Sequence, residues 1–230
     1  MTGRSATDVV VEQPTSAAVE GSTVQAGIRR RRPSPGARAR FRSRGHVGLD
    51  DLWTGAVGDA LAEEAGRLFP TAVVPSAGPR TPVAALRRIG AATRVAGGPV
   101  LEELHGTLAS LVRALSGRML VPSFAVYGYF PEEDGVVLHL DTDATDIVLL
   151  TTALGEVGPL ILHPDLQGQT PRQLGDRESD PRWDSGGGVP LSYPSLGVTV
   201  LRGAQIPHGR PSRPVPTLSA VAALHYRSPY

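Results

Sequence analysis

The sequence predicts an α+β protein: a mainly helical segment followed by a C-terminal β-barrel or sandwich. Apolar residues recur at helical steps between about residues 46 and 118, and after Met119 the period switches to short β-branched runs separated by turn residues. A chain of 230 residues can bury one sizeable core, so one compact unit plus an appendage is expected.

Residues 1–45 hold nine Arg against Asp8, Glu12 and Glu20, a net charge of +6, which leaves the rest of the chain at −5. The run RRRRPSPGARARFRSR, Arg29 to Arg44, is interleaved with Pro, Gly and Ser and lacks apolar periodicity. Residues 1–45 are therefore expected to form a disordered basic arm. Clustered arginine attracts phosphate, but Phe41 is the only aromatic there for base stacking. Nucleic acid is not an expected partner beyond weak binding through this arm.

The stretch DDLWTGAVGDALAEEAGRLF spaces Leu52, Val57, Leu61, Ala65 and Leu68 at three-to-five-residue steps, predicting a helix that begins near Asp50 or Asp51. TPVAALRRIGAATRV, with Thr81 as N-cap ahead of Pro82, and PVLEELHGTLASLVRALSGR, ending near Gly117, predict two more. Residues 46–118 are thus expected to pack as a helical segment on a core formed by residues 119–230. Strands are predicted in LVPSFAVYGYF, VVLHLD, DIVLLTTAL, PLILH, GVTVLRGAQI and TLSAVAALHYR, a spacing that suits a barrel or sandwich. Between Pro164 and Tyr193 the chain is polar and Gly-rich and too long for a hairpin turn. It reads either as an active-site lid or as a surface loop.

Composition narrows the chemistry. With no cysteine there is no disulfide, thiolate nucleophile, zinc–thiolate site or iron–sulfur cluster, so a metal can bind only through His, Asp or Glu. The 23 basic residues are all arginine, which excludes Schiff-base chemistry and a P-loop lysine. No apolar run approaches the ~20 residues of a membrane span, and the first thirty residues lack the apolar stretch of a secretory signal. A cytoplasmic protein with no membrane partner is expected.

A redox-active ferrous site needs neutral imidazoles and one carboxylate on a single face, with the opposite positions open. His139 and Asp141 stand two apart in VVLHLDTD, and strand alternation directs both side chains to one face. Such a pair is a weak signal alone: six His and 22 acids in 230 residues produce about 0.6 by chance, and a second, His163-Pro-Asp165, is present. Topology favours the first pair. His208 lies 67 residues past Asp141, with room for several strands between, so it can return beside the pair from across the core. Between Asp165 and His208 there is mainly one irregular loop and one clear strand, and His163 reads as a strand-end residue with a surface or lid role.

Taken together, AVYGYF before the metal strand, LHLDTDATDIVLLTTAL, and VTVLRGAQIPHGRPSR with a later strand ending LHYR resemble the 2-oxoglutarate/iron(II) dioxygenase superfamily. The resemblance covers about Val121 to Tyr226. It implies a double-stranded β-helix (jelly roll), with His139, Asp141 and His208 as ligands of Fe(II) and with 2-oxoglutarate and O2 as co-substrates. Many members carry an arginine about ten residues after the distal histidine; here those positions are Thr217, Leu218 and Ser219. The C5 carboxylate of 2-oxoglutarate still needs a cation, best a bidentate guanidinium. Arg227 is ten residues beyond Thr217, or ~33 Å along an extended strand, which leaves Arg210 or Arg213. Arg210 is preferred, because an extended chain past His208 points it to the ligand side, and some relatives show a similar His-x-Arg. Tyr127 and Tyr129, on one face of their strand, either donate a phenol hydrogen bond to the same carboxylate or pack in the core. Ser219 is a further candidate for the co-substrate pocket.

The implied reaction couples decarboxylation of 2-oxoglutarate, releasing succinate and carbon dioxide, to oxidation of a substrate C–H bond. Family members that halogenate replace the carboxylate ligand by a small residue. Because Asp141 is present, hydroxylation or a related oxidation of a small molecule or amino-acid-like substrate is expected. The mildly acidic body disfavours a nucleic-acid lesion as substrate. Two other readings stay open: a cupin-like metal protein without 2-oxoglutarate, for which an H-x-H pair is expected and none occurs, and a non-catalytic jelly-roll binding module.

Overall fold

The β-branched runs after Met119 form two antiparallel sheets, the larger with one face against helices and the other against the smaller sheet. The computed structural model describes residues 23–29, 32–73, 93–130, 135–141, 144–170, 172–174, 187–211 and 214–229. The strands are β1 (His46–Leu49), β2 (Thr93–Ala96), β3 (Val121–Phe130), β4 (Val136–His139), β5 (Ile147–Leu154), β6 (Leu160–Leu162), β7 (Val189–Leu191), β8 (Val198–Leu201), β9 (His208–Arg210) and β10 (Ser219–Arg227). A six-stranded sheet has the order β1-β8-β5-β10-β3-β2 and a four-stranded sheet the order β4-β9-β6-β7. This mixed helix-and-sheet architecture is consistent with a jelly roll. Each of the six predicted runs contains a strand, but β1 and β2 come from outside residues 119–230 and extend the larger sheet at both edges.

The helices are α1 (Thr23–Gly27), α2 (Pro35–Arg44), α3 (Gly55–Leu68) and α4 (Pro99–Ser116). Helix α4 buries Leu101, Leu104, Leu108, Leu111, Val112 and Leu115, a stripe at helical spacing. It ends at Gly117, whose φ of 70° is left-handed and costs glycine nothing. His105 and Tyr226 fasten it to the sheet: His105 Nε2 lies 2.8 Å from the His225 carbonyl, and the Tyr226 hydroxyl donates to the His105 carbonyl at 2.7 Å.

Three expectations are corrected here. The helix predicted near Asp50 or Asp51, α3, starts at Gly55, because the Leu52 and Trp53 amides bond the Leu196 carbonyl at 2.8 and 3.4 Å and hold that segment against the loop before β8. Part of the arm expected to be disordered is helical: Ser34 Oγ caps the Ala37 amide of α2 at 3.1 Å, and Phe41 is fully buried under Arg202, whose guanidinium carbon stands 5.2 Å from the ring centroid. Only Ala37 and Phe41 of this helix are buried, an apolar stripe too short to stand out in the sequence. The helix expected in TPVAALRRIGAATRV lies outside the described residues up to 92, and its Thr93–Val95 end belongs to strand β2.

The larger sheet buries both faces. Its outer face, including Tyr127, Tyr129, Leu149, Val200, Ala222 and Leu224, joins the helices in one apolar cluster. Its inner face, with Phe130, Val148, Leu201 and Val221, meets Leu160 and Leu162 of the smaller sheet. No helix among the described residues is long and apolar enough to cross a membrane.

One buried carboxylate ties these layers together. Glu64 of α3 is 3% exposed; its Oε2 accepts from the Val100 amide at 2.9 Å and its Oε1 from the Leu101 amide at 3.0 Å and the Tyr127 hydroxyl at 3.0 Å. It therefore caps the N-terminus of α4, where Gly98 supplies no side-chain cap. Glu64→Ala removes a charged acceptor and leaves three donors unmet, so we expect a loss of about 3 kcal/mol in chemical denaturation. A change below about 1 kcal/mol would show that water takes over the cap.

Candidate metal centre

Strands β4 and β9 pair antiparallel with His139 opposite His208 and Val136 opposite Arg210, across a register irregularity in β4. The two imidazoles are brought together, ring centroids 4.3 Å apart and planes tilted by 54°. Asp141 follows the end of β4, and its amide donates to the Gly203 carbonyl at 3.0 Å. Gly203 must lack a side chain, because a Cβ there would overlap the Asp141 carboxylate. Asp141 Oδ1 lies 3.8 Å from both His139 Nε2 and His208 Nε2.

The hydrogen bonds settle which imidazole nitrogens are available. His139 Nδ1 lies 2.7 Å from the Val137 carbonyl and His208 Nδ1 lies 2.9 Å from the Ile206 carbonyl. A carbonyl only accepts, so each Nδ1 carries the proton and each Nε2 presents a bare lone pair. Burial, and then the neighbouring His208, lower His139 to about 4, so it is neutral at ordinary pH. Burial raises the Asp141 carboxyl, but the neighbouring His208, His139, His225 and Arg94 more than offset this, so it lies below the ordinary carboxylate range. Asp141 Oδ2 is buried with no hydrogen-bond partner among the described residues, a costly state for a carboxylate unless a cation completes it. Donors about 2.1 Å from a first-row ion stand at most ~4.2 Å apart, so the 3.8 Å spacings fit one ion. Two imidazoles and one carboxylate form the donor set of the facial triad.

Beyond the triad lies the space between the sheets. Arg210 shares the His208 face of β9 and is 1% exposed. Its guanidinium carbon stands 4.3 Å from the Phe130 ring centroid and 5.6 Å from that of Tyr193, and its NH1 donates to the Tyr193 hydroxyl at 3.2 Å. Leu150, Leu160, Leu162 and Val221 complete an apolar lining.

The structure does not place Tyr127 and Tyr129 there. They share a face, as alternation requires, but it is the helix-facing one: Tyr127 donates to Glu64, and Tyr129 donates to the Ala65 carbonyl at 2.8 Å. Ser219 is also engaged elsewhere, its hydroxyl donating to the Glu156 carbonyl at 2.7 Å. Arg213 lies outside the described residues. His163 stands apart from the three converging residues, its Nδ1 3.9 Å from Asp165. Tyr193, which sequence reasoning left inside an irregular loop, is the phenol beside Arg210. Arg94 of β2, in a segment expected to be helical, is a second residue that the sequence reading missed.

No protein-family model matches the chain, and no curated protein sequence matches it. Solved structures do. The chain resembles SnoN, a non-haem α-ketoglutarate-dependent epimerase from nogalamycin biosynthesis, with a TM-score of 0.64 at 15% identity over 84% of this chain and 82% of that one. It resembles a prolyl hydroxylase from Trichoplax adhaerens, solved with a hypoxia inducible factor peptide, with a TM-score of 0.61 at 13% identity over 83% and 86%. HygX from Streptomyces hygroscopicus, solved with nickel and 2-oxoglutarate, gives 0.60 at 15% identity over 86% and 88%. The chain has the fold of the 2-oxoglutarate/iron(II)-dependent oxygenases, with a His-Asp-His group placed to hold a metal. At 13–15% identity the likeness is one of fold.

Proposed function

We propose that this protein is an Fe(II)- and 2-oxoglutarate-dependent oxygenase that hydroxylates a C–H bond of a small molecule or amino-acid-like substrate. The observation that carries the reading is the pair of imidazoles whose Nδ1 protons are committed to carbonyls while both Nε2 atoms face one carboxylate. His139, Asp141 and His208 would hold the iron, and His139, with 31% of its side chain exposed, marks the open side. When bound, iron with 2-oxoglutarate and O2 supplies the oxidising power, with succinate and carbon dioxide released.

The rest falls to the protein. Arg210 lies two residues along β9 from His208, a backbone advance of ~6.6 Å, with its guanidinium in the dry space between the sheets. A bidentate fork there suits the distal carboxylate of a short dicarboxylic acid. It also accounts for the arginine absent from the start of β10: Ser219 pairs with Phe130, the ring that Arg210 covers, so Arg210 brings its cation from the smaller sheet to that point. Tyr193 steadies the guanidinium, and the apolar lining excludes water and strengthens the ion pair.

Anaerobic titration tests the reading. One equivalent of ferrous iron followed by 2-oxoglutarate should develop a weak visible metal-to-ligand band, and admission of oxygen should yield succinate. A chain that binds iron but shows neither band nor succinate would favour the cupin-like alternative.

A further inference from the structure

Strand β2 is the edge of the larger sheet, and its register with β3 sets the side chains apart: Thr93 pairs with Tyr129, Arg94 with Gly128, and Val95 with Tyr127. Tyr127 and Tyr129 face the helices, so Arg94 lies on the opposite face, in one row with Gly128 and Val221. Val221 packs in the cluster between the sheets, which puts Arg94 on the face of the larger sheet that looks toward the smaller one. Gly128 leaves space beside it: the nearest atoms to a Cβ there would be the Phe130 ring at 3.9 Å and the Val221 carbonyl at 4.0 Å.

The same face carries an aromatic wall. Phe124 and His225 are register partners whose rings stack with centroids 4.0 Å apart and 16° between planes. Phe124 is 38% exposed, unusual for a large apolar side chain on an inward face, so the wall is open to a ligand. His225 is held to about 4, chiefly by burial, and the wall is uncharged.

Arg94 has no ion pair or side-chain hydrogen bond among the described residues. Arg94 is exposed, and among the described residues the opposite charge it faces is that of Asp141. In the loaded site, a divalent ion and Arg210 would balance Asp141 and the two carboxylates of 2-oxoglutarate. Arg94 is the charge left over among these groups, on the sheet face that carries Phe124 and His225.

We propose that Arg94 is a specificity-determining residue that binds an oxyanion, in the first instance a carboxylate, on a substrate whose apolar body lies along Phe124 and His225. This rests on the oxygenase reading above. A few placed polar groups orient a ligand in an otherwise apolar pocket, and a charge-assisted guanidinium–carboxylate pair discriminates an acid from its neutral amide.

The test uses the full chain loaded anaerobically with iron and 2-oxoglutarate. The probes are benzoate, phenylacetate, 3-phenylpropionate and 4-phenylbutyrate, each beside its primary amide. Binding is read by saturation-transfer NMR and by perturbation of the metal-to-ligand band. At least one acid should bind about tenfold or more tightly than its amide. Arg94→Gln should abolish that preference and Arg94→Lys keep most of it, with the band formed by iron and 2-oxoglutarate intact in both. No acid preference in the unaltered chain, or a preference that survives Arg94→Gln, overturns the proposal. A band present in the unaltered chain but lost in Arg94→Gln overturns it by assigning Arg94 to the co-substrate. A band absent from the unaltered chain overturns the oxygenase reading, and this proposal with it.

Discussion

His139→Ala and Asp141→Ala should each abolish stoichiometric ferrous binding while leaving the fold intact. A three-donor site has no redundancy, and loss of a donor should cost more than the roughly 10–100-fold that follows loss of an outer hydrogen-bond partner. The fold should tolerate both changes. His139 sits at the rim with its side chain 31% exposed, and Asp141 carries a buried Oδ2 without a partner among the described residues. Removing an incompletely satisfied buried carboxylate is neutral or stabilising, so the metal-free Asp141→Ala chain should melt no lower than the unaltered one. Gly203→Ala is a useful companion, because all three ligands remain while the new Cβ occupies the place of the carboxylate. It too should lose iron. His139 adds a pH signature. Metal binding needs the neutral ring, and a group held at about 4 competes with protons only as pH falls toward that value. Iron content by anaerobic dialysis, with circular dichroism as the fold check, decides the matter: stoichiometric iron in both alanine variants would sink the assignment.

The convergence of His139, Asp141 and His208 was legible because two of them lie two residues apart, where alternation fixes a common face, and the third follows at a distance that a barrel can close. The place of Arg210 on the His208 face was legible for the same reason, two residues past His208. Tyr127 and Tyr129 show the limit of that logic. Alternation correctly put them on one face, but both faces of this sheet are buried, and the choice was made by Glu64 on α3, which offers a buried acceptor 63 positions away. Strands HGR and VPL were not legible at all. Three residues containing Gly or Pro have no period, and they are strands only because β4 and β6 present free ladder groups beside them. Tyr193 emerges from an aperiodic loop, and nothing in its neighbours along the chain points it at Arg210. Arg94 could have been suspected: Thr-Arg-Val ahead of a Gly-Gly-Pro helix start is a short β-branched alternation, read as the end of a helical pattern instead.

Arg210→Ala should raise the 2-oxoglutarate requirement steeply. A buried carboxylate without a paired cation is costly to desolvate, and the residues that pack around Arg210 between the sheets, Phe130, Leu160, Leu162 and Val221 among them, are mainly apolar. Loss of a charge-assisted, hydrogen-bonded partner costs ~2–5 kcal/mol, or about one and a half to nearly four decades in affinity. Iron binding without co-substrate should change little, because the guanidinium is not a ligand. The alanine also opens a cavity under Phe130, so Arg210→Met, which keeps most of the volume but not the fork, separates lost charge from lost packing. Both variants should show the same rise if the charge is what matters. Tyr193→Phe, which removes only the hydroxyl 3.2 Å from the guanidinium, should have a smaller effect, about tenfold or less. Arg213→Ala is the control and should be mild. Reversed phenotypes would make Arg213 the anchor. If no arginine variant responds, the carboxylate is held elsewhere or 2-oxoglutarate is not the co-substrate, and the visible band in the unaltered chain tells those two apart.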